Sequence, residues 1–142
     1  MKANLLFAVF LRAAGASSQD TATDSKAIEG KWMVLAAELS GAALPVAATK
    51  TMRLDLTAEK YSFTEGTIID QGTIKIDATK KPKTIDIVGT DGPNKGKTYL
   101  AIYELKGDTM RLCYDLTGKA RPSEFATKKG TLLFLVTYQR MK

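Results

Sequence analysis

Histidine is absent from this chain of 142 residues, and cysteine and tryptophan each occur once, as Cys113 and Trp32. Without histidine, the chain lacks the commonest general base and the commonest metal ligand, and no triad that contains histidine can form. A single cysteine excludes an internal disulfide. No nucleophile–base pair and no metal-ligand spacing is recognisable, so the sequence predicts no catalytic residue, no metal and no cofactor, and hence no enzyme.

Positively charged residues are only in modest excess over negatively charged ones. The chain is 44% hydrophobic and 25% charged, which suits one ordinary globular domain, and its net charge of +6 weakly favours an anionic partner. The cluster of lysines at positions 80, 81 and 83 has no aromatic residues between them. Such a cluster is typical of a solvated turn, so no binding to nucleic acid is predicted.

Long hydrophobic runs are also missing. The apolar run at 4–11 is much shorter than the roughly 20 residues that cross a membrane, so no membrane-spanning segment is expected. Lys2 precedes this run and the small residues 14–16 follow it, a pattern that predicts a signal peptide cleaved before Ser17. The signal peptide would comprise residues 1–16, and the protein would be secreted or periplasmic. An amphipathic N-terminal helix on a cytosolic protein is the alternative.

The segment after this N-terminal region is polar. Residues 17–27 are rich in serine, threonine and aspartate and show no apolar periodicity. Segments of this kind bury too little apolar surface to offset the entropy lost on ordering. They are therefore predicted to form a flexible polar tether.

From residue 28 onward, short stretches of alternating apolar and polar residues fill most of the chain. Alternation is typical of β-strands with one buried face. The first stretch, Gly30–Leu39, contains Trp32, and turn-forming residues separate the later ones. The later stretches are 51–56, 61–63, 74–76, 85–87, 99–105, 110–114 and 131–138. No long helix that could link parallel strands is apparent, so antiparallel pairing is expected.

These stretches predict an all-β fold, a single antiparallel up-and-down β-barrel of about eight strands over residues 28–142. Closure into a barrel removes the two exposed edges that an open sheet would leave. Residues 41–49 interrupt the strands and are predicted to form a loop with one helical turn after Pro45. The glycine-containing segment 92–98 looks like a phosphate loop, but it has one residue too few between its glycines and precedes a strand, so it is predicted to be a turn.

Residues of the first and last predicted strands resemble those of lipocalins. Gly30-Lys31-Trp32 resembles the G-x-W that opens the first lipocalin strand, and Arg140 matches the basic residue that packs over that tryptophan. The chain is more closely similar to a family of small lipocalin-like domains from mainly uncharacterised planctomycete proteins. The segments that carry this resemblance are GKW (30–32), KKPKTIDI (80–87), TDGPNKGKT (90–98), IYELKGDTMRLC (102–113) and RPSEF (121–125). The resemblance implies a lipocalin-like, calycin-type barrel in a secreted or envelope protein, with no established activity.

Alternation also predicts which side chains point into the barrel. If Trp32 points inward, so does Glu38, six residues further along the same strand. The same reasoning predicts that Tyr61, Tyr103 and Tyr114 point inward. Together with Glu38, they are the candidate ligand-binding residues. An eight-stranded barrel is just wide enough either to be filled by side chains or to hold one small ligand. Both alternatives remain open at this point.

Each alternative implies its own function. With a cavity, the protein would be an exported noncatalytic barrel that binds a small apolar or amphipathic molecule. With a filled barrel, it would be an envelope or extracellular interaction domain that binds a protein or polymer through its loops. In both cases Trp32 and Arg140 are expected to be structural residues that close one end of the barrel together.

Overall fold

Strands account for most of the residues that the structure describes. The structure is a computed structural model that describes residues 18–142. The strands are β1 (Gly30–Leu39), β2 (Ala42–Ala43), β3 (Met52–Thr57), β4 (Lys60–Glu65), β5 (Ile68–Asp77), β6 (Lys83–Asp91), β7 (Thr98–Lys106), β8 (Thr109–Asp115) and β9 (Leu133–Arg140). The helices in this range are α1 (Ser18–Ala27) and α2 (Val46–Thr49). The signal peptide predicted for residues 1–16 lies outside the described residues.

Eight of the strands form a closed antiparallel barrel. From β3 to β9 each strand pairs with the next one in the chain, and β1 closes the ring by pairing with both β3 and β9. The additional strand β2 pairs only with the last two residues of β1. The predicted all-β antiparallel barrel of about eight strands is therefore confirmed, and so is the helical turn after Pro45.

The end of the barrel at which β1 begins is filled by side chains. Trp32 is fully buried there, and its Nε1 donates a hydrogen bond to the Ile28 carbonyl at 3.0 Å. Trp32 and Arg140 are opposite each other on β1 and β9, and the guanidinium lies 4.3 Å from the centroid of the indole. The predicted contact between these two residues is confirmed. Tyr103 and Met110 are also buried at this end.

Arg140 also joins the barrel to the C-terminal end of α1. Its Nη1 donates to the Glu29 carbonyl at 2.8 Å, and its Nη2 donates to the Ala27 carbonyl. Its Nε donates to Asp108 at 3.2 Å. A Cβ added to Gly30 would lie only 2.9 Å from Nη1, so the glycine leaves room for the guanidinium. This contact gives a physical reason for a glycine two residues before the tryptophan.

The polar segment predicted to be a flexible tether is instead helical, so that prediction is wrong for Ser18–Ala27. The helix is held by polar contacts with the filled end of the barrel. Asp24 accepts hydrogen bonds from the Tyr103 hydroxyl at 2.7 Å and from Lys83 Nζ at 2.9 Å. Thr21 Oγ1 accepts a hydrogen bond from the Ala78 backbone N–H at 2.9 Å. Because these anchoring residues are polar, an analysis based on apolar periodicity could not detect the face of α1 that meets the barrel.

An irregularity in β1 reverses the alternation of its side chains. The register with β9 shifts between Val34 and Ala36, and the next buried residue after Val34 is Ala37. Glu38 therefore faces outward, where its carboxylate accepts a hydrogen bond from Thr127 Oγ1. The prediction that Glu38 points into the barrel is wrong, because a one-residue shift turns all later side chains to the opposite face.

Candidate ligand cavity

The barrel is hollow at the end opposite Trp32. A cavity of about 370 Å³ lies inside the wall there, and partly exposed residues such as Ile68 mark its mouth. Since a molecule of liquid water takes up roughly 30 Å³, this volume corresponds to that of about a dozen water molecules. Twelve of the nineteen lining residues are apolar. The polar ones are Glu65, Asp70, Asn94 and the tyrosines at 61, 99, 114 and 138.

Three aromatic rings lie along the wall of the cavity. The centroids of Tyr99 and Tyr114 are 5.5 Å apart with their planes tilted by 50°, and those of Tyr114 and Phe134 are 5.6 Å apart in an edge-to-face contact. Offset and edge-to-face contacts of this kind are the favourable arrangements of aromatic pairs. Because the rings come from the neighbouring strands β7, β8 and β9, these contacts follow the wall and leave the axis of the barrel open.

A hydrogen-bonded network lies on one side of the cavity, centred on the buried carboxylate of Asp70. Tyr61 donates its hydroxyl to Asp70 Oδ2 at 3.0 Å. Asn94 donates twice, from its backbone N–H to Oδ1 at 3.1 Å and from its side-chain amide to Oδ2 at 2.9 Å. Tyr99 in turn donates its hydroxyl to Asn94 Oδ1 at 2.9 Å. The network ties the turn between β6 and β7, which carries Asn94, to β4, β5 and β7.

Gly72 makes room for the ring of Tyr61. The two residues are opposite each other on β5 and β4. A Cβ at position 72 would lie 2.6 Å from Tyr61 Cε1 and 1.9 Å from the carbonyl oxygen of Val88 on β6. Any larger residue would clash with the ring and with the backbone of β6, so glycine at this position leaves the room that Tyr61 occupies.

The hydroxyls of Tyr114 and Tyr138 differ from those of the network. Neither donates or accepts a hydrogen bond within residues 18–142, whereas the hydroxyls of Tyr61, Tyr99 and Tyr103 do. No buried side-chain nitrogen or oxygen in this part of the chain lacks a partner. The two unpartnered hydroxyls must therefore reach open space. Since both residues line the cavity and Tyr138 is only 3% exposed, that space is the cavity.

Burial is the main cause that raises the pKa of each of the four tyrosines of the cavity. Burial raises the pKa of Tyr61, and the hydrogen bond to Asp70 and its charge raise this pKa further. Burial and the charge of Asp70 raise the pKa of Tyr99. Burial, then Tyr99 and Asp70, raise the pKa of Tyr114, while burial followed by Tyr114 raises that of Tyr138. The four phenols therefore stay neutral at physiological pH, and they offer hydrogen bonds without adding charge.

The structure brings together two of the four candidate ligand-binding residues. Tyr61 and Tyr114 line the cavity. Tyr103 is buried inside the barrel as predicted, but it lies at the filled end, where it donates to Asp24, and it does not line the cavity. Glu38 lies outside the barrel because of the irregularity in β1.

Five polar residues of the cavity were missed in the sequence analysis, namely Glu65, Asp70, Asn94, Tyr99 and Tyr138. Asp70 and Tyr99 lie on the inward faces of β5 and β7, so the alternation of Ile74 and Tyr103, extended back by four residues on each strand, leads to them. Asn94 lies in the turn between β6 and β7, where no periodicity applies. Its contribution depends on the fold of that turn over the mouth of the barrel.

Among residues 18–142 there is no group of three or more histidine, cysteine, aspartate or glutamate residues that could hold a metal ion. None of the helices in this range is long and apolar enough to cross a membrane. Comparisons with models of protein families, with curated proteins and with solved structures found no match.

Proposed function

We propose that the protein is an exported, noncatalytic, lipocalin-like barrel that binds a small apolar or amphipathic molecule in its hollow end. The observation that carries this proposal is the cavity of about 370 Å³. Ligand pockets commonly have volumes of about 300–1,000 Å³, a mostly apolar lining and a few converging polar groups. The cavity described above has all three properties.

The arrangement of the lining supports binding of one molecule with a polar part. Aliphatic residues such as Leu54 and Ile85 form much of the wall, and they would bury the apolar part of a ligand. The hydroxyls of Tyr114 and Tyr138 have no partner in the described chain, so a ligand can use both of them without breaking a protein hydrogen bond. A polar ligand group placed there would recover the hydrogen bonds that it loses on leaving water.

A test uses phenylnaphthylamine, an uncharged apolar fluorophore. The native-sequence protein should bind the probe with micromolar affinity. Ile87→Trp should weaken binding by about tenfold or more, because Ile87 lines the cavity and the larger side chain would occupy the ligand's place. Val88→Trp is the matched control, since Val88 is the next residue of the same strand and is exposed on the outer face.

Two results would contradict the proposal. One is the absence of probe binding to the folded native-sequence protein. The other is equal binding by the Ile87→Trp and Val88→Trp variants, which would place the probe outside the barrel. Circular dichroism of each variant establishes that the barrel has formed.

The proposed export rests on the N-terminal sequence pattern. The apolar run at 4–11 and the small residues at 14–16 have the order expected of a cleaved signal peptide. N-terminal sequencing of the protein purified from its native source should start at or near Ser17. An intact Met1 on protein recovered from the cytosol would contradict export and leave the cavity proposal untouched.

A second candidate function is that of an envelope or extracellular domain that binds a protein or polymer through its loops. It is favoured by exposed apolar side chains around the mouth, namely Val46 at 75%, Ile68 at 55% and Leu132 at 47% exposure. The filled barrel expected with this function is not found, since this end is hollow. Native mass spectrometry of the protein purified from its own envelope separates the two functions, because it resolves a small bound molecule from a macromolecular partner.

A further inference from the structure

The charged groups of the cavity all have the same sign. Among the described residues that line the cavity, Glu65 at the mouth and Asp70 inside it are the only ionisable ones apart from the tyrosines, and none is a lysine or arginine. The chain as a whole is basic, with a formal net charge of +6. The cavity thus presents to a ligand a charge opposite to that of the whole chain.

Asp70 has no cationic partner among the described residues. It is only 7% exposed, and none of the ion pairs in residues 18–142 includes it. Buried carboxylates are usually paired with a cation, because hydrogen bonds alone replace only part of their hydration. Two of the partly buried acids elsewhere in the described chain have such partners. Asp24 pairs with Lys83, and Asp86 pairs with Arg121.

The hydrogen bonds of Asp70 leave room for one more donor. An ionised carboxylate has about four acceptor positions on its two oxygens. Three of them are occupied, two by Asn94 and one by Tyr61. The position left open is on Oδ1, and Asp70 is one of the residues that line the cavity.

The surroundings of Asp70 also suit a cation. Asn94, which donates to Asp70, accepts a hydrogen bond from Tyr99. The ring of Tyr99 contacts that of Tyr114, and the ring of Tyr114 contacts that of Phe134. The faces of such rings attract organic cations, and aromatic clusters are a common way in which proteins recognise ammonium groups. The carboxylate and the ring cluster thus line one cavity and are linked through Asn94 and Tyr99.

We propose that the cavity selects a small organic ammonium with an apolar chain, whose cationic nitrogen donates to Asp70 beside the rings of Tyr99 and Tyr114. This inference rests on the proposed function and names its ligand class. The apolar chain of the ligand lies along the aliphatic wall. The ammonium supplies both the missing counter-charge and the missing donor.

A ligand that ends in a carboxylate cannot make the proposed contact with Asp70. Its charge would approach Asp70 in a space of low dielectric constant, where like charges repel strongly. No lysine or arginine of the lining could pair with it. An uncharged alcohol avoids this repulsion and can bond to Tyr114 or Tyr138, but it leaves Asp70 without a counter-charge.

The test compares three probes of the same length, octylammonium, octanol and octanoate, as competitors of bound phenylnaphthylamine at neutral pH. Octylammonium should displace the fluorophore at a concentration about tenfold or more below that of octanol, as a charge-assisted hydrogen bond predicts. Octanoate should be the weakest competitor. In Asp70→Asn, octylammonium should lose its advantage while octanol competes as before. Asp55→Asn is the matched control, since Asp55 is an acid on the outer face of β3 that pairs with Lys31.

The outcomes separate this inference from the proposed function. If phenylnaphthylamine binds but octylammonium competes no better than octanol, the inference is overturned and the cavity function stands. The inference is also overturned if folded Asp70→Asn keeps the full preference for octylammonium. If Asp70→Asn does not fold, the order of the three probes on the native-sequence protein decides. If the fluorophore does not bind at all, the proposed function itself fails.

Discussion

The two ends of the barrel are built from the same eight strands and differ in what occupies the axis. At the filled end, Trp32 is fully buried, and α1 is bound to the same end through Asp24 and Arg140. At the hollow end, the aromatic rings contact one another along the wall and enclose about 370 Å³. The orientation of a few large side chains therefore decides whether a barrel of this size is filled or hollow.

The polar groups at the two ends differ in the same way. At the filled end, the indole N–H of Trp32, the hydroxyl of Tyr103 and the guanidinium of Arg140 all bond to protein groups. At the hollow end, Tyr114 and Tyr138 have hydroxyls without a partner in the described chain, and Asp70 has no cationic partner there. Complete bonding at one end provides stability, while incomplete bonding at the other leaves groups available to a ligand.

The largest expected difference between the ends is in the cost of removing an aromatic ring. Trp32→Ala should lower the free energy of unfolding by about 3–5 kcal/mol, because it opens a cavity in a closely packed region. Phe134→Ala removes a half-buried ring that already borders open space, so it should cost only about 1–2 kcal/mol. Urea unfolding of both variants measures the two costs. Equal costs would contradict the view that the filled end carries most of the packing energy.

Arg140 tests how the filled end is held together. Arg140→Ala should cost about 2 kcal/mol, since it removes the contact with Trp32 and the hydrogen bonds to the last carbonyls before β1. Arg140→Lys keeps the charge but cannot reproduce the forked hydrogen bonds, so it should recover only part of the loss. The double variant with Trp32→Ala should cost less than the sum of the single variants, because the contact is shared. Strict additivity would show that the two side chains stabilise the barrel independently.

Buried tyrosines at both ends should make the protein sensitive to alkaline pH. Burial and then the hydrogen bond to Asp24 raise the pKa of Tyr103, and burial followed by Tyr114 raises that of Tyr138. Below the ordinary tyrosine pKa near 10, both residues are protonated in the folded and unfolded states, so their stabilising effect is fully present. Above it, only the unfolded state releases these protons, and stability falls by up to about 1.4 kcal/mol per pH unit for each tyrosine.

The measurement is urea unfolding between about pH 9 and pH 11. Tyr103→Phe at the filled end and Tyr138→Phe at the hollow end should each reduce the slope of stability against pH. A slope that is unchanged in Tyr138→Phe would mean that this hydroxyl is exposed to bulk water rather than enclosed. That result would break the distinction between an enclosed cavity and an open surface.

The smallest expected effect is a local one that does not depend on packing. At the filled end, Ala58 and Glu59 form a two-residue turn with φ values of 48° and 66°, which favour asparagine and glycine. Replacing the pair with Asn-Gly should raise the free energy of unfolding by about 1 kcal/mol. At the hollow end, Gly66 has a φ of 61°, and no described atom lies within 4 Å of an added Cβ. Since only the backbone conformation opposes a side chain there, Gly66→Ala should lower the free energy of unfolding by a similar amount. If either effect greatly exceeds the other, backbone conformation alone does not explain these turns.

Much of the fold can be predicted from alternation alone. The first strand was predicted over the residues that form β1, and β7 and β8 lie where the stretches 99–105 and 110–114 predicted strands. The contact between Trp32 and Arg140 could also be predicted, because the first and last strands of a closed antiparallel barrel are neighbours. Of the site, alternation identified Tyr61 and Tyr114, and it could have reached Asp70 and Tyr99 from their neighbours on the same faces.

The rest depends on interactions between segments distant in the chain. The irregularity in β1 arises in its pairing with β9, and this single shift moves Glu38 to the outer face. The helix α1 forms over a polar segment that has partners only on the assembled barrel, such as Tyr103 for Asp24. Asn94 reaches the cavity because the turn that carries it folds over the mouth.

The sequence by itself therefore determined that this chain forms an antiparallel barrel, because alternation with period two is a local property that each strand carries independently. Only the tertiary structure decided that one end is filled and the other is hollow. That outcome depends on whether a ring is fully buried in the interior, as Trp32 is, or packs against rings of the neighbouring strands along the wall, as Tyr114 does. Ring orientation is set by contacts between strands, and these contacts exist only once the barrel has closed.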